Sequence, residues 1–262
     1  LGPGPVEQGL NAPGNKTVGQ LQIQSEEVKQ KRAGAERGLV TLYETLFKHR
    51  HTHPAAAFHP ELVADFWSPE RYSEALAFRG SAKSTLAEED ITLATLYRVF
   101  HNILIIGSSE HRAAERLASV AYELALNDFG RELFGDQKGS TWTQTKLVTA
   151  SGVCVQAMGR DQDIRGIKHL DHRPDFILVD DFEDKDSVQT PEGRLKTLRW
   201  FLAELLPACA PTVKVRIRAT PMDVESVPMR LQNEAGWPTK VYPIEYPDPE
   251  TGERRSSWPE LF

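Results

Sequence analysis

The stretch Ala77-Phe78-Arg79-Gly80-Ser81-Ala82-Lys83-Ser84-Thr85 joins two segments with different patterns. Residues 72–78 predict a short strand that enters a core, and residues 83–97 predict a helix. Small residues between a strand and a helix let backbone N–H groups close around phosphate oxygens, and the helix N-terminus adds a partial positive charge. In such a loop Lys83 would reach the β- and γ-phosphates of a nucleotide, and the Ser84 hydroxyl would bind Mg²⁺.

This loop departs from the usual phosphate-binding pattern G-x-x-x-x-G-K-[ST]. Ala77 and Ala82 stand at the two glycine positions, so Gly80, Lys83 and Ser84 carry the remaining signal. Taken alone, the stretch fits equally well a strand–turn–helix corner with a lysine at the start of the helix.

A second motif strengthens the first. It is the acidic stretch Phe176-Ile177-Leu178-Val179-Asp180-Asp181-Phe182-Glu183-Asp184. Apolar residues that end in carboxylates are typical of a buried strand whose carboxyl end faces a crevice. In a P-loop NTPase this is the Walker B strand, where Asp180 would hold Mg²⁺. Asp181 or Glu183 would then polarise the attacking water, and the alternative is a solvated acidic turn.

Composition limits the class of protein. The 262 residues are 40% hydrophobic and 26% charged, which is enough for one large α/β domain. The net charge of −6 predicts that any nucleic acid would be bound by a local basic patch. The two isolated cysteines, Cys154 and Cys209, predict buried thiols in a reducing compartment. Since no signal peptide or long apolar run is visible, we expect a soluble, intracellular protein without a membrane partner.

The rest of the chain fits one α/β domain over residues 25–262 after a flexible arm over residues 1–24. A helix is expected from Ser25, and its basic run over residues 29–37 is better explained by a solvated face than by DNA contact. The segment around His49, His51, His53 and His59 predicts exposed histidines rather than a zinc site. Residues 191–206 predict an amphipathic helix with one apolar face, made of Leu195, Leu198, Leu202 and Leu205.

Two further segments carry candidate site residues. Arg165 lies in a polar stretch before the acidic strand, where arginine would suit a phosphate contact, although an ordinary surface loop is the simpler interpretation. Residues 213–221 alternate apolar and basic side chains and end in Thr220-Pro221. Such a strand beside Walker B would present the Thr220 hydroxyl to the γ-phosphate. The alternative is an edge strand with one charged face.

These motifs together resemble the ATPase domain of the phage large terminase, which packages DNA into procapsids. Residues 78–85 (FRGSAKST) resemble that family's unusual Walker A motif with an arginine inside the loop. Residues 103–115 (ILIIGSSEHRAAE), the Ile164-Arg165-Gly166 motif, residues 177–184 (ILVDDFED) and residues 218–221 (RATP) resemble the motifs that follow. The resemblance covers residues 58 to 262.

The resemblance implies a RecA-like P-loop NTPase fold of the ASCE type, with a mostly parallel central sheet flanked by helices. It implies that ATP and Mg²⁺ bind the loop over residues 77–85, and that hydrolysis drives double-stranded DNA through a ring of identical subunits. It further implies a small terminase subunit and a portal protein as partners, in the host cell cytoplasm. Arg165 would be an arginine finger acting on a neighbour's ATP, and Arg79 would act in its own site.

The resemblance also has limits. A full large terminase carries a C-terminal nuclease domain, for which no length remains after Asp184, so we expect no nuclease activity from this chain. Two other functions stay open. One is a helicase-like or recombinase-like DNA-dependent ATPase, which the Ile-Arg-Gly stretch argues against. The other is a nucleotide-binding module with little turnover, which the two alanines of the loop suggest.

Overall fold

The structure is a computed structural model that describes residues 41–164 and 166–262. A compact unit spans Leu42–Phe262. The expected arm over residues 1–24, the basic run and most of the helix expected from Ser25 lie outside the described residues, as does Arg165. The end of that helix is described, and its expected apolar positions Tyr43 and Phe47 are buried.

The strands follow the predicted order along the chain, with additions. Among the described residues they are β1 (Tyr72–Ala77), β2 (Asn102–Gly107), β3 (Lys138–Trp142), β4 (Lys146–Thr149), β5 (Cys154–Gly159), β6 (Phe176–Asp180), β7 (Lys214–Ala219), β8 (Thr239–Tyr242), β9 (Glu245–Pro247) and β10 (Arg254–Ser256). β9 and β10 pair with each other in a separate hairpin.

Helices connect these strands. They are α1 (His59–Phe66), α2 (Lys83–Leu96), α3 (Glu110–Leu126), α4 (Asp128–Phe134), α5 (Lys185–Gln189), α6 (Pro191–Arg199) and α7 (Val227–Ala235). A short 3₁₀ turn, Lys48–Arg50, precedes α1. Within the part of the chain that the structure describes, no helix has the length and apolar character needed to cross a membrane.

The first eight strands form one sheet in the order β3-β4-β5-β2-β6-β7-β1-β8. The pairs from β5 through β2, β6, β7 and β1 to β8 are all parallel, whereas β3 and β4 add antiparallel pairs at one edge. The chain therefore has the predicted α/β fold with a large, mainly parallel central sheet. Because β7 lies between β1 and β6, the two predicted motifs end two strands apart at the same edge.

The core covers both faces of the sheet. All six residues of β2 are buried, and successive side chains of a strand point to opposite faces. Leu104 and Ile106 pack into a cluster with Trp200 and Phe201. Helix α2 packs against both α1 and α3, and α3 packs on β2 and β5. Cys154 and Cys209 are free and buried, as predicted.

Strand β7 is central, so the alternative of an edge strand with one charged face is wrong. Its arginines Arg216 and Arg218 are almost completely buried. Arg216 donates hydrogen bonds to backbone carbonyls at the end of α1, including those of Asp65 and Phe66, both at 3.1 Å. Arg218 pairs with Asp65 at 2.7 Å and donates to Leu62 O at 3.0 Å. The basic side chains therefore attach α1 to the sheet instead of facing solvent.

The predicted apolar face of the helix over residues 191–206 is also partly wrong. Leu195 and Leu202 are exposed, whereas Trp200 and Phe201 are buried. After α6 the helix continues as a π-helical segment, Trp200–Leu205, and one α-turn, Leu206–Ala208. A π-segment has more residues per turn, so it rotates the buried face relative to the α-helical spacing assumed from the sequence.

Strand β1 carries a buried carboxyl group that makes stability depend on pH. Glu74 is fully buried and accepts a hydrogen bond from Thr239 Oγ1 at 2.7 Å. Burial raises the pKa of Glu74 to about 8. Because an unfolded glutamate has a pKa of about 4.3, folding takes up a proton between these two values.

We therefore predict that the free energy of unfolding falls as the pH rises from about 4.3 to about 8. The substitution Glu74→Gln removes this titration. At about pH 9 it is expected to be more stable than wild type by about 2–4 kcal/mol, and at about pH 5 nearly equal to it. Urea denaturation at both pH values measures the difference. An equal difference at both pH values would contradict the prediction.

Candidate nucleotide and metal site

The loop between β1 and α2 has the backbone shape of an anion-binding turn. Gly80 has φ +87° and Ala82 has φ +59°, so both occupy the left-handed region. Ala82 is the N-cap of the 14-residue helix α2, and the helix receives no side-chain cap. The first N–H groups of a helix have no intrahelical partner, and together with the helix dipole they suit a phosphate group.

Two buried polar side chains lie at the inner side of the loop, and one of them, His59, supports it. Ser81 Oγ is buried, and among the described residues it has no hydrogen-bond partner. His59 is buried, its Nδ1 lies 3.1 Å from Ala56 N, and its Nε2 lies 3.0 Å from Ser81 O. The Ala56 N–H makes Nδ1 the acceptor, so Nε2 donates to the loop carbonyl. Burial lowers the pKa of His59, which favours this neutral ring. The prediction that His59 is exposed is wrong.

Lys83 joins the three strand ends. Its ammonium group donates to Thr220 Oγ1 at 2.8 Å and lies 3.1 Å from Asp181 Oδ2. Thr220 N in turn donates to Asp181 Oδ1 at 2.8 Å. The Lys83 side chain is 6% exposed, whereas that of Asp181 is 45% exposed. The residues predicted from three separate motifs therefore meet at one edge of the sheet.

Ser84 and Asp180 form the predicted metal-binding pair. Ser84 Oγ donates to Asp180 Oδ1 at 2.8 Å. Neighbouring oxygens around an octahedral Mg²⁺ ion, with bonds of 2.0–2.1 Å, lie about 2.9 Å apart, so this hydroxyl and carboxylate fit that ion. No cluster of three or more acidic, histidine or cysteine ligands occurs among the described residues. A Mg²⁺ ion here would complete its shell with water and substrate phosphates, as this ion commonly does.

The electrostatics around Asp180 favour a cation. Burial, and secondarily the charge of Asp181, raise the pKa of Asp180 to about 6. The carboxylate is thus costly to leave charged without a positive partner. Arg116 from α3 supplies one, with Nε 2.8 Å from Asp180 Oδ2, and its other end pairs with Glu88 at 3.0 Å. Sequence reasoning missed Arg116, because a single arginine on a helix carries no local signal of its partner.

The two candidate catalytic carboxylates have different surroundings. Asp181 faces Lys83 and Thr220. Glu183 instead accepts the backbone N–H of Val227, the first residue of α7, at 3.0 and 3.2 Å from its two oxygens. Burial raises the pKa of Glu183. The Glu183 carboxylate therefore satisfies a helix N-terminus, and the described contacts place Asp181, not Glu183, beside Lys83.

The remaining predicted residues are distributed around the loop. Arg79 and Gly80 are exposed, and Ala77 is the buried last residue of β1. Thr85 follows Ser84 in the first turn of α2. The Phe78 ring packs edge-on against Phe58 and Phe262. Arg165 lies outside the described residues, so its position relative to these groups is not assigned.

The last residues of the chain cover the outer side of the loop. The Phe262 ring would lie 3.2 Å from a Cβ atom built on Gly80. The Trp258 ring packs edge-on against His59 with 4.7 Å between centroids, and its Nε1 donates to Pro54 O at 2.9 Å. The segment after Tyr246 is therefore anchored on the loop between β1 and α2 and on the residues before α1.

Comparisons with known proteins give structural matches only. No protein-family profile and no curated protein matches the sequence. The chain is similar to an arginine-to-alanine mutant of the Thermus phage P74-26 large terminase ATPase domain, with 16% identity over 62% of this chain and 65% of that one, at a TM-score of 0.44. A second structure of that domain matches with 18% identity over 59% and 61% of the two chains, at a TM-score of 0.40.

A third structure contains Saccharomyces cerevisiae Dbp5 bound to Nup159, Gle1, IP6 and ADP. It matches with 9% identity over 79% of this chain and 52% of that one, at a TM-score of 0.50. The matched segments thus span 52% to 65% of the lengths of the matched chains in these three structures. This last match supports the RecA-like α/β fold seen in the sheet order. The match shows nothing about the site, which is defined by the contacts of Lys83, Ser84 and Asp180 within the chain itself.

The positive φ of Ala82 predicts how a glycine at this position affects stability. An alanine whose backbone lies in the left-handed region is strained, and glycine is not. Ala82→Gly is therefore expected to leave stability unchanged or raise it by up to about 1 kcal/mol. Ala118 is an exposed alanine in the middle of α3 and serves as the control. Ala118→Gly is expected to cost about 1 kcal/mol. Thermal and chemical denaturation compare the variants, and equal losses in both would contradict the backbone assignment.

Proposed function

We propose that this chain is the ATP-hydrolysing motor domain of a viral DNA-packaging terminase. One observation carries the proposal: Lys83 contacts Thr220 and Asp181 at the edge of the sheet where Ser84 meets Asp180. A buried ammonium group, a hydroxyl–carboxylate pair and an uncapped helix N-terminus together suit a nucleoside triphosphate with Mg²⁺. The order of motifs along the chain supports a terminase.

In the proposed mechanism the loop over residues 77–85 holds the phosphates. Backbone N–H groups at the start of α2 bind phosphate oxygens, and Lys83 exchanges Thr220 and Asp181 for the β- and γ-phosphates. Ser84 and Asp180 would hold Mg²⁺, which when bound would offset the charge of the β- and γ-phosphate oxygens. The exposed Arg79 lies in the same loop and can add a positive charge to the γ-phosphate.

Asp181 is the proposed residue that orients the attacking water. It is the more exposed of the two carboxylates in the 180–181 pair, and its contacts with Lys83 and Thr220 N support this role. Glu183 is the weaker candidate because its carboxylate is engaged by the N-terminus of α7. Catalysis then depends on positioning and charge stabilisation, as in phosphoryl transfer generally.

Thr220 is proposed to report the state of the γ-phosphate to the rest of the domain. It follows β7, and the strand residue two positions earlier, Arg218, is tied to α1 through Asp65 and the Leu62 carbonyl. A change at Thr220 when Lys83 moves to phosphate would therefore reach β7 and, through Arg218, α1.

The assembly is part of the same proposal. Subunits form a ring around double-stranded DNA, with a small terminase subunit and a portal protein as partners, in the host cell cytoplasm. Arg165 acts as a finger on a neighbour's ATP, which would make turnover depend on assembly. Because the chain is acidic overall, DNA would be bound by a local basic surface, whose strength would fall with salt.

The test of the proposed function is ATP turnover at increasing protein concentration, with and without double-stranded DNA. The rate per subunit is expected to rise with concentration and with DNA. Lys83→Ala is expected to lower it roughly 100-fold or more, because charge stabilisation at the phosphates is lost. Full turnover at high dilution would contradict the ring. DNA unwinding would indicate a helicase-like enzyme, and binding without turnover would indicate a nucleotide-binding module.

The assignment of the catalytic carboxylate makes a separate prediction. Asp181→Asn is expected to reduce turnover by about 100-fold or more while nucleotide binding persists, because the group that orients water is lost. Glu183→Gln keeps a carbonyl oxygen for the N-terminus of α7 and is expected to retain turnover within about threefold. Steady-state kinetics and nucleotide titration measure both variants. A reversed order of the two losses would assign the role to Glu183.

A further inference from the structure

Both oxygens of the Asp180 carboxylate already have partners within the protein. Oδ1 accepts from Ser84 Oγ at 2.8 Å, and Oδ2 lies 2.8 Å from Arg116 Nε. Asp180 is almost fully buried, whereas the Arg116 side chain is 34% exposed and comes from the neighbouring helix α3. A divalent cation that binds the Ser84–Asp180 pair must therefore share the carboxylate with a guanidinium group.

Arg116 has a second carboxylate within reach. Its NH1 atom lies 3.0 Å from Glu88 Oε1. The contacts run in series from Ser84 to Asp180, Arg116 and Glu88. Glu88 is buried and lies one helical turn after Ser84 on α2, so the series begins and ends on the same helix. Glu88 also pairs with Arg50, which precedes α1 in the chain. Glu88 therefore keeps a positive partner even when Arg116 changes its contacts.

We propose that Arg116 competes with the divalent cation for Asp180 and so sets how strongly nucleotide binding depends on Mg²⁺. This inference rests on the proposed function. When the cation binds, Arg116 gives up Oδ2 and keeps Glu88. The Arg116 side chain is 34% exposed, which gives it room to move away from Oδ2. Arg116 is thus a positioning residue, and it does not touch the reacting atoms.

Removal of Arg116 changes cation binding in opposite directions for the two roles that Arg116 could have, competing with the cation for Asp180 or orienting Asp180 for it. Two cations at one buried carboxylate repel each other, so removing Arg116 should strengthen the cation's hold on Asp180. If Arg116 only oriented Asp180 for the cation, its removal would weaken cation binding instead. Lys83 and Asp181 also act on Asp180, but they are unchanged between the variants compared, so their charges do not alter the sign.

The experiment is calorimetric titration of the full chain with ADP, in buffer with EDTA and in buffer with Mg²⁺. The dissociation constant for ADP in EDTA divided by that in Mg²⁺ measures how strongly binding depends on Mg²⁺, and it requires no turnover. Arg116→Gln is expected to increase this ratio roughly fivefold or more, which corresponds to loss of one competing charge-assisted contact. Arg116→Lys keeps the charge and is expected to stay closer to wild type.

Arg112 provides the matched control. It lies one turn earlier on α3, its side chain is 64% exposed, and it pairs with Glu115 at 3.0 Å. Arg112→Gln removes the same charge from the same helix and is expected to leave the ratio unchanged. Melting temperatures in EDTA confirm that each variant is folded.

If wild-type binding depends on Mg²⁺ but the ratio in Arg116→Gln is unchanged or smaller, the inference that Arg116 competes with the cation is overturned. The proposed function is not affected by that result. A change in Arg112→Gln as large as that in Arg116→Gln also overturns it, because helix charge in general would then explain the effect. If the wild-type chain binds no ADP in either buffer, the proposed function itself fails, and the inference fails with it.

Discussion

The buried ammonium group of Lys83 is the interaction on which the rest of the site depends. A lysine with 6% of its side chain exposed must have partners, because an isolated charge is costly to bury. Thr220 and Asp181 supply them from the ends of two neighbouring strands, β7 and β6. This requirement fixes the loop, both strand ends and the start of α2 in one arrangement. A triphosphate would satisfy the same ammonium group, so the contact that stabilises the fold also prepares the proposed site.

A second constraint comes from helix α2, which carries three consecutive buried acids, Glu88, Glu89 and Asp90. Each has a partner from the segment before α1. Arg50 pairs with Glu88, His51 lies 3.1 Å from Glu89, and the Tyr43 hydroxyl bonds to Asp90. The hydrogen bond with Glu89 raises the pKa of His51, and burial raises the pKa of Glu89. The segment before α1 is therefore part of the environment of α2, and Arg116 connects this acidic set to Asp180.

Much of the fold was predictable from the sequence, because β2 and β6 are mainly apolar runs with clear ends. Strand β1 was recognisable from the loop and helix that follow it, and β7 from its alternation of apolar and basic residues. The predicted convergence of Lys83, Ser84, Asp180 and Thr220 followed from the rule that parallel strands end at one edge. His59 and Arg116 were missed because their partners, Ser81 O and Asp180, are remote in sequence. The exposed Leu195 and Leu202 reflect a π-helical segment that has no sequence signature. The alternative of an edge strand with a charged face is wrong for β7, because its arginines are buried and donate to carbonyls of α1, contacts that no local pattern indicates.

The central claim is that the edge formed by Lys83, Thr220, Asp181, Ser84 and Asp180 binds nucleotide phosphates. The most direct measurement is an experimental structure of the chain with Mg²⁺ and a slowly hydrolysed ATP analogue. The account predicts that the terminal phosphate contacts the Lys83 ammonium group, which leaves Thr220, and that the metal lies between Ser84 and Asp180. A nucleotide bound elsewhere, with the Lys83 contacts to Thr220 and Asp181 unchanged, would contradict it.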